Sequence, residues 1–187
     1  MSDIELNEIS LIAKRAICLY SASEVHLAID NIAAQITKEH SATNPILMCV
    51  MNGGLVLTAK LAERLRFPLS MDYVHATRYR GKTTAAELQW ERAPSIDLSG
   101  RVVIIVDDIL DEGITLKGVV EHCELLGADE VHTVVLVNKQ HDRKVVDFSC
   151  DFVGLEIEDR YVYGSGMDYK GYFRNVPGIY AVNDLDE

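Results

Sequence analysis

Five β-branched residues in a row, Val102-Val103-Ile104-Ile105-Val106, run straight into Asp107-Asp108-Ile109-Leu110-Asp111-Glu112-Gly113-Ile114-Thr115. An apolar run without polar alternation has no solvent face, so it predicts a strand buried on both sides, as in a parallel sheet covered by helices. A polar turn ending at Gly113 follows, then a helical pattern through about Leu126, Gly127 as its stop, and Val131 to Val137 as the next strand. The same grammar occurs upstream. After the Asn44-Pro45 breaker, Ile46 to Met51 is a short apolar run, Asn52-Gly53-Gly54 a glycine loop, and Leu55 to Leu65 a helical pattern. Such units imply an α/β fold, with a central mostly parallel sheet flanked by helices. Ligands are then expected at the carboxyl ends of strands, after Met51, Val106 and Val137.

Two amphipathic helices are predicted ahead of this core. Residues 4–20 place Ile9, Ile12, Ala13, Ala16, Ile17 and Tyr20 at helical spacing, and Val25, Ile29, Ile32, Ala33 and Ile36 form a second set. Ser21 with Glu24 fits a capping box between them. Residues 79–97 are polar, carry Gly81 and Pro94, and show no clear periodicity, so they read as a long loop of the kind that serves as a mobile lid. At 187 residues and 48% hydrophobic content, a single globular domain is the expectation. Within it, 1–40 supply N-terminal helices, 45–145 the core and 151–187 a C-terminal segment.

Composition removes several classes of function. Eighteen Lys and Arg against 29 Asp and Glu give a net charge of -11 without a basic cluster, which argues against nucleic-acid binding. Cys18, Cys49, Cys123 and Cys150 lack CxxC spacing, so neither a disulfide framework nor a zinc site is predicted. No signal-peptide pattern opens the chain and no apolar run is long enough to span a membrane, so a cytoplasmic protein without membrane partners is expected. The six histidines show no ligand spacing and receive no role.

The acidic turn has three readings. Acids can solvate a strand end or cap a helix. Asp107-Asp108-Ile109-Leu110-Asp111 also matches the DDxxD cluster of isoprenoid synthases, but that cluster lies within a long helix, whereas here a strand precedes it and Gly113 follows. Third, carboxylates at a strand tip can accept from neighbouring ribose hydroxyls, while amides of the turn and helix start face a 5-phosphate and Thr115 adds a hydroxyl.

Two acids, two apolar residues, Asp, a variable position, Gly, a variable position and Thr is the phosphoribosyl pyrophosphate motif, and on it the chain resembles the type I phosphoribosyltransferases. The resemblance implies that family's fold, with a hood built from the C-terminal segment and part of the N-terminus. It assigns Asp107 and Asp108 to the ribose hydroxyls, directly or through Mg2+. Glu112, Gly113, Ile114 and Thr115 would take the 5-phosphate, and Asp111 would be the general base or acid at the purine's imidazole nitrogen. The chain departs from the common pattern in carrying Asp107 for Glu and Glu112 for Thr.

Asn52-Gly53-Gly54 can be a plain tight turn; by the resemblance it is the pyrophosphate loop, with Asn52 where Lys is common. Lys139, otherwise a solvated strand end, falls where 6-oxopurine phosphoribosyltransferases hold a lysine on the exocyclic oxygen, which favours hypoxanthine and guanine over adenine. Residues 151–174 resemble the hood of the hypoxanthine-guanine branch. There Tyr161 would stack on the purine, the Val162 backbone would read the base edge, Asp168 would bind a second Mg2+ and Arg174 the pyrophosphate. Read alone, these are alternating strand residues and surface charges. Thr77-Arg78-Tyr79 aligns with the start of the closing loop, where Tyr79 would exclude water.

The implied activity is purine salvage: transfer of the 5-phosphoribosyl group from phosphoribosyl pyrophosphate to hypoxanthine and/or guanine, in a homodimer or homotetramer. Two rivals are a xanthine- or guanine-preferring transferase and a non-catalytic regulator that senses phosphoribosyl pyrophosphate while binding RNA. The regulator predicts a basic surface and a damaged base site, and the sequence shows neither.

Overall fold

The computed structural model describes residues 3–78 and 88–183. In chain order it contains α1 (Asp3–Arg15), β1 (Ile17–Tyr20), α2 (Ala22–His40), β2 (Ile46–Val50), α3 (Leu55–Ala62), β3 (Ser70–Arg78) and β4 (Leu88–Arg92). Then come β5 (Val102–Leu110), α4 (Ile114–Leu125), β6 (Glu130–Gln140), β7 (Phe152–Glu158), β8 (Val162–Tyr163) and β9 (Ile179–Ala181). The main sheet has the order β4-β3-β2-β5-β6-β7, parallel throughout except for the antiparallel edge strand β4.

Side-chain alternation along β5 explains why this sheet needs helices on both faces. Ile104 and Val106 pack with Ile29, Ile32 and Ile36 of α2 and Leu57 and Leu61 of α3, whereas Val103 and Ile105 pack with Leu116, Val119 and Cys123 of α4. All four β5 residues are fully buried. Each such side chain stabilises by about 1.5–3 kcal/mol relative to exposure, so exposing either face would be prohibitive. From the two central strands the chain leads outward in opposite directions: β2 through α3 to β3, and β5 through α4 to β6. The crevice above β2 and β5 is therefore a topological switch point.

A second, three-stranded antiparallel sheet, β1-β9-β8, forms the hood. Its cluster of Ile12, Tyr163, Tyr169 and Val182 ties α1 to the C-terminal segment. The capping box forms as expected, with Ser21 accepting from the Glu24 amide and Glu24 accepting from the Ser21 amide at 2.8 Å. Among the described residues, no helix is long and apolar enough to cross a membrane.

Several boundaries differ from the sequence reading: α3 stops at Ala62 instead of Leu65, and β6 runs on to Gln140, so that Lys139 lies within the strand. The helical period over 4–20 breaks at Arg15, because Ile17, Cys18 and Tyr20 pair with Ala181, Tyr180 and Ile179, a partner strand about 160 residues away. The expected loop over 79–97 contains β4, held by packing on α4: Trp90 lies 4.3 Å from the His122 ring and Leu88 against Gly118. Finally, β5 does not stop at Val106 but continues to Leu110, since β6 supplies ladder partners as far as Asn138.

Candidate active site

The extra length of β5 creates the site. β2 pairs with β5 only as far as Cys49 opposite Val106, so Asp107 and Asp108 project past their β2 neighbour. The Met51–Gly54 loop, with a cis Met51–Asn52 peptide, fills that step. It fits because two side chains are missing: a Cβ on Gly53 would lie 2.2 Å from Asp108 Oδ2, and one on Gly54 would lie 2.3 Å from the Val106 carbonyl oxygen. The glycines thus serve the packing of loop on strand as well as any approach of their amides to a ligand.

Around this step lies a cleft of about 340 Å3. Asn52, Gly53, Asp107, Asp108, Asp111, Glu112, Gly113, Thr115, Lys139, Tyr161, Val162, Asp168 and Arg174 all line it. Four sequence segments are thereby brought to one place. Gly54 and Ile114 do not line the cleft; Gly54 is the N-cap of α3 and Ile114 the first residue of α4, and their neighbours Gly53, Gly113 and Thr115 do line it. Gly113, at φ 83°, is the N-cap of α4 and makes no side-chain capping hydrogen bond. A helix start of this kind directs first-turn amides and the positive end of the helix dipole at an anion. Tyr79 lies outside the described residues.

Charge is distributed unevenly over the cleft. The Asp108 amide donates to Asp107 Oδ1 at 2.9 Å, and Asp108 is 8% exposed. Burial, reinforced by the adjacent Asp108 charge, pushes Asp107 well above the ordinary carboxylate range. Burial also raises Asp108, against the lowering effect of its hydrogen bonding with Asp107 and of the Arg174 charge. Arg174 faces this pair, with Nη1 3.7 Å from Asp108 Oδ2 and donating to the Gly166 carbonyl at 2.7 Å. Its Nη2 lies 2.5 Å from Asp168 Oδ1, so one guanidinium fastens the hood to the sheet. Asp168 Oδ2 also accepts from the Gly171 amide at 2.6 Å.

A few ångströms along, Asp111 has a cationic partner. Lys139, only 9% exposed, donates to Oδ2 at 3.0 Å, and His141 approaches Oδ1 with Nε2 at 2.7 Å. Burial alone would raise the Asp111 pKa, but the hydrogen bonds from Lys139 and His141 and the charges behind them outweigh it and hold the carboxyl below its ordinary value. Arg143 binds Asp159 through both terminal nitrogens, at 2.6 and 2.9 Å. Tyr161 is exposed over the cleft, its ring 5.3 Å from that of Tyr169.

His141 is the residue that sequence reasoning missed. A lone histidine has no informative spacing when its partner is 30 positions away. The available signal was local: along extended chain, positions two apart point the same way, so His141 shares the direction of Lys139.

The chain is similar in sequence and fold to proteins of a known family. The phosphoribosyl transferase domain family matches residues 19–170. A hypoxanthine-guanine phosphoribosyltransferase from Bacillus subtilis is 32% identical over 86% of this chain and 89% of its own length. A hypoxanthine-guanine-xanthine phosphoribosyltransferase from Tritrichomonas foetus is 28% identical over 86% and 88%. The crystal structure of a hypoxanthine phosphoribosyltransferase from Staphylococcus aureus superposes with a TM-score of 0.84 at 26% identity, covering 90% of this chain and 92% of that one. With its motif at the switch point and the hood above it, the chain belongs to the phosphoribosyltransferase family, as a type I enzyme close to the hypoxanthine-guanine branch.

Proposed function

We propose that the cleft joins hypoxanthine and/or guanine to the 5-phosphoribosyl group of phosphoribosyl pyrophosphate, giving IMP or GMP and pyrophosphate. One observation carries this reading: Lys139 and Asp111, 3.0 Å apart, set a donor and an acceptor side by side in the cleft that Tyr161 also lines. A 6-oxopurine presents the complementary pair, an exocyclic oxygen and an imidazole N–H. Adenine would present its amino group to Lys139 and leave the lysine unpaired.

Each remaining residue has a place in that scheme. Tyr161 stacks on the base and the Val162 backbone reads its edge. Asp107 and Asp108 bind the ribose hydroxyls, and the Glu112–Thr115 turn, through Gly113, Ile114 and Thr115, holds the 5-phosphate. Asn52, Gly53 and Arg174 take the pyrophosphate, the planar guanidinium suiting phosphate oxygens, whereas Gly54, expected there from the sequence, lies off the cleft with its amide donating to the Val50 carbonyl at 2.9 Å and seats the loop instead.

Transfer forms a bond from the purine nitrogen to C1 of the ribose while the bond from C1 to the pyrophosphate oxygen breaks, its electron pair leaving on that oxygen. The N–H electron pair returns to the purine ring as the proton passes to Asp111. Asp107, Asp108 and Asp168 supply the hard oxygen donors that Mg2+ prefers, and two adjacent carboxylates at the strand tip, Asp108 buried and 3.7 Å from Arg174, fit a divalent cation. Bound there, Mg2+ would neutralise charge on the pyrophosphate. We place the protein in the cytoplasm as a homodimer or homotetramer, as the family relationship suggests.

Product formation should be measured with Mg2+ and phosphoribosyl pyrophosphate against hypoxanthine, guanine, xanthine and adenine, beside Asp111→Asn. Turnover of hypoxanthine or guanine, lost in Asp111→Asn, is the expected result. A preference for xanthine would reassign the base, and no turnover with any base would favour a ligand-sensing role.

A further inference from the structure

We infer that His141 is a positioning residue for Asp111: it holds one carboxylate oxygen permanently while Lys139 leaves the other to the incoming purine. The inference rests on Asp111 being the proton acceptor of the proposed reaction.

Each oxygen of Asp111 has its own donor, His141 on Oδ1 and Lys139 on Oδ2. The two donors are held very differently. The His141 side chain is 4% exposed, and its Nδ1 accepts from the Arg143 backbone amide at 3.1 Å. That bond settles the tautomer, because a nitrogen that accepts from an amide carries no proton. The ring N–H must then sit on Nε2 and point at Asp111. A ring fixed at Nδ1 by backbone and at Nε2 by a carboxylate has nowhere else to go.

Lys139, although its side chain is only 11% exposed, has an alternative partner that His141 lacks. Its ammonium ends a flexible four-carbon stem with three rotatable donors, and a second carboxylate, Asp159, lies 3.9 Å away. A purine whose 6-oxo group accepts from Lys139 draws that donor off Oδ2. Oδ2 is then the free acceptor beside the imidazole N–H, and it loses a stabilising donor when it has to take a proton. His141 prevents the carboxylate from turning meanwhile, since rotation about the terminal bond of an aspartate is otherwise loosely restrained. His141 itself gives up no proton.

The experiment compares His141→Phe, which keeps a ring and removes the donor, with His141→Gln, whose amide can donate without titrating. Asp111→Asn is assayed alongside, with hypoxanthine as the base and circular dichroism on every variant. His141→Phe is expected to lower kcat about 10- to 100-fold, as for loss of a hydrogen bond to a charged group, with KM for phosphoribosyl pyrophosphate little changed; His141→Gln should recover most of kcat. If His141→Phe does not fold, His141→Ala takes its place and is read in the same way. Wild-type kcat in a folded variant without the donor, or failure of folded His141→Gln to recover activity, overturns the inference. Full activity in Asp111→Asn would instead remove the reading of Asp111 on which the inference stands, so the two failures are told apart.

Discussion

Alanine at Gly54 gives a clean test of how the loop is seated on the strand. Gly54 has φ -64° and ψ -12°, a conformation in which alanine is at ease. On backbone entropy alone the substitution would stabilise by about 0.4–1 kcal/mol. The contacts reverse the sign. The new methyl would lie 2.3 Å from the Val106 carbonyl oxygen, 2.8 Å from that of Val50 and 3.2 Å from Asp107 Cα. All three are backbone atoms of strands fixed in the sheet, so α3 must move by roughly 1 Å to restore normal contact, and overpacking of this kind costs about 1–3 kcal/mol. The net effect is a loss of roughly 0–2.5 kcal/mol, or up to about 10 °C in melting temperature for a chain of this size. Gly53→Ala meets a side chain instead, Asp108, which can swing aside at the expense of its contact with Arg174. Its expected signature is a smaller loss of stability with a larger loss of kcat/KM. Thermal melts and steady-state kinetics on both variants check the pair. A Gly54→Ala protein clearly more stable than wild type, with unchanged kinetics in Gly53→Ala, would refute the argument that these two glycines seat the loop.

Other perturbations should read out separate parts of the account. Arg174→Ala removes the guanidinium that joins Asp168 to Asp108, so KM for phosphoribosyl pyrophosphate should rise by about tenfold or more, measured at saturating base. Lys139→Met should lower kcat/KM for hypoxanthine by about 10- to 100-fold while narrowing its advantage over adenine, which competition between the two bases would show. Remote from the cleft, His40 is 5% exposed, and neither ring nitrogen has a hydrogen-bond partner among the described residues. Burial, and then the neighbouring His132, lowers its pKa, so the folded state binds fewer protons there than the unfolded chain. Its contribution is complete above the ordinary value of 6.5 and is lost as pH falls from there through the lowered folded value. Urea midpoints between about pH 7.5 and about pH 5 should show this slope flattened in His40→Phe.

The parts of the fold that were legible in the sequence are those set by local physics. The all-apolar run of β5 has no solvent face, Ser21 and Glu24 cap α2 from within four residues, and the glycines at 53 and 54 mark a strand end. What escaped was set by distant partners. Ile17 to Tyr20 continues a helical period and becomes a strand because β9 is there to pair with it. The alternation in Leu88-Gln89-Trp90-Glu91-Arg92 is visible in retrospect, but its burial depends on α4. The motif made Asp107, Asp108 and Asp111 recognisable, whereas the contact of His141 with Asp111 exists only because two parallel strands end side by side.

The central claim is a group transfer in this cleft, and the stoichiometry of its products tests that claim most directly. Nucleoside monophosphate and pyrophosphate should be quantified together in reactions of the protein with Mg2+, phosphoribosyl pyrophosphate and hypoxanthine or guanine. The account predicts equal amounts of the two products with at least one of these bases, both lost in Asp111→Asn. Pyrophosphate released without nucleotide, or the same yield of both from Asp111→Asn, would contradict it.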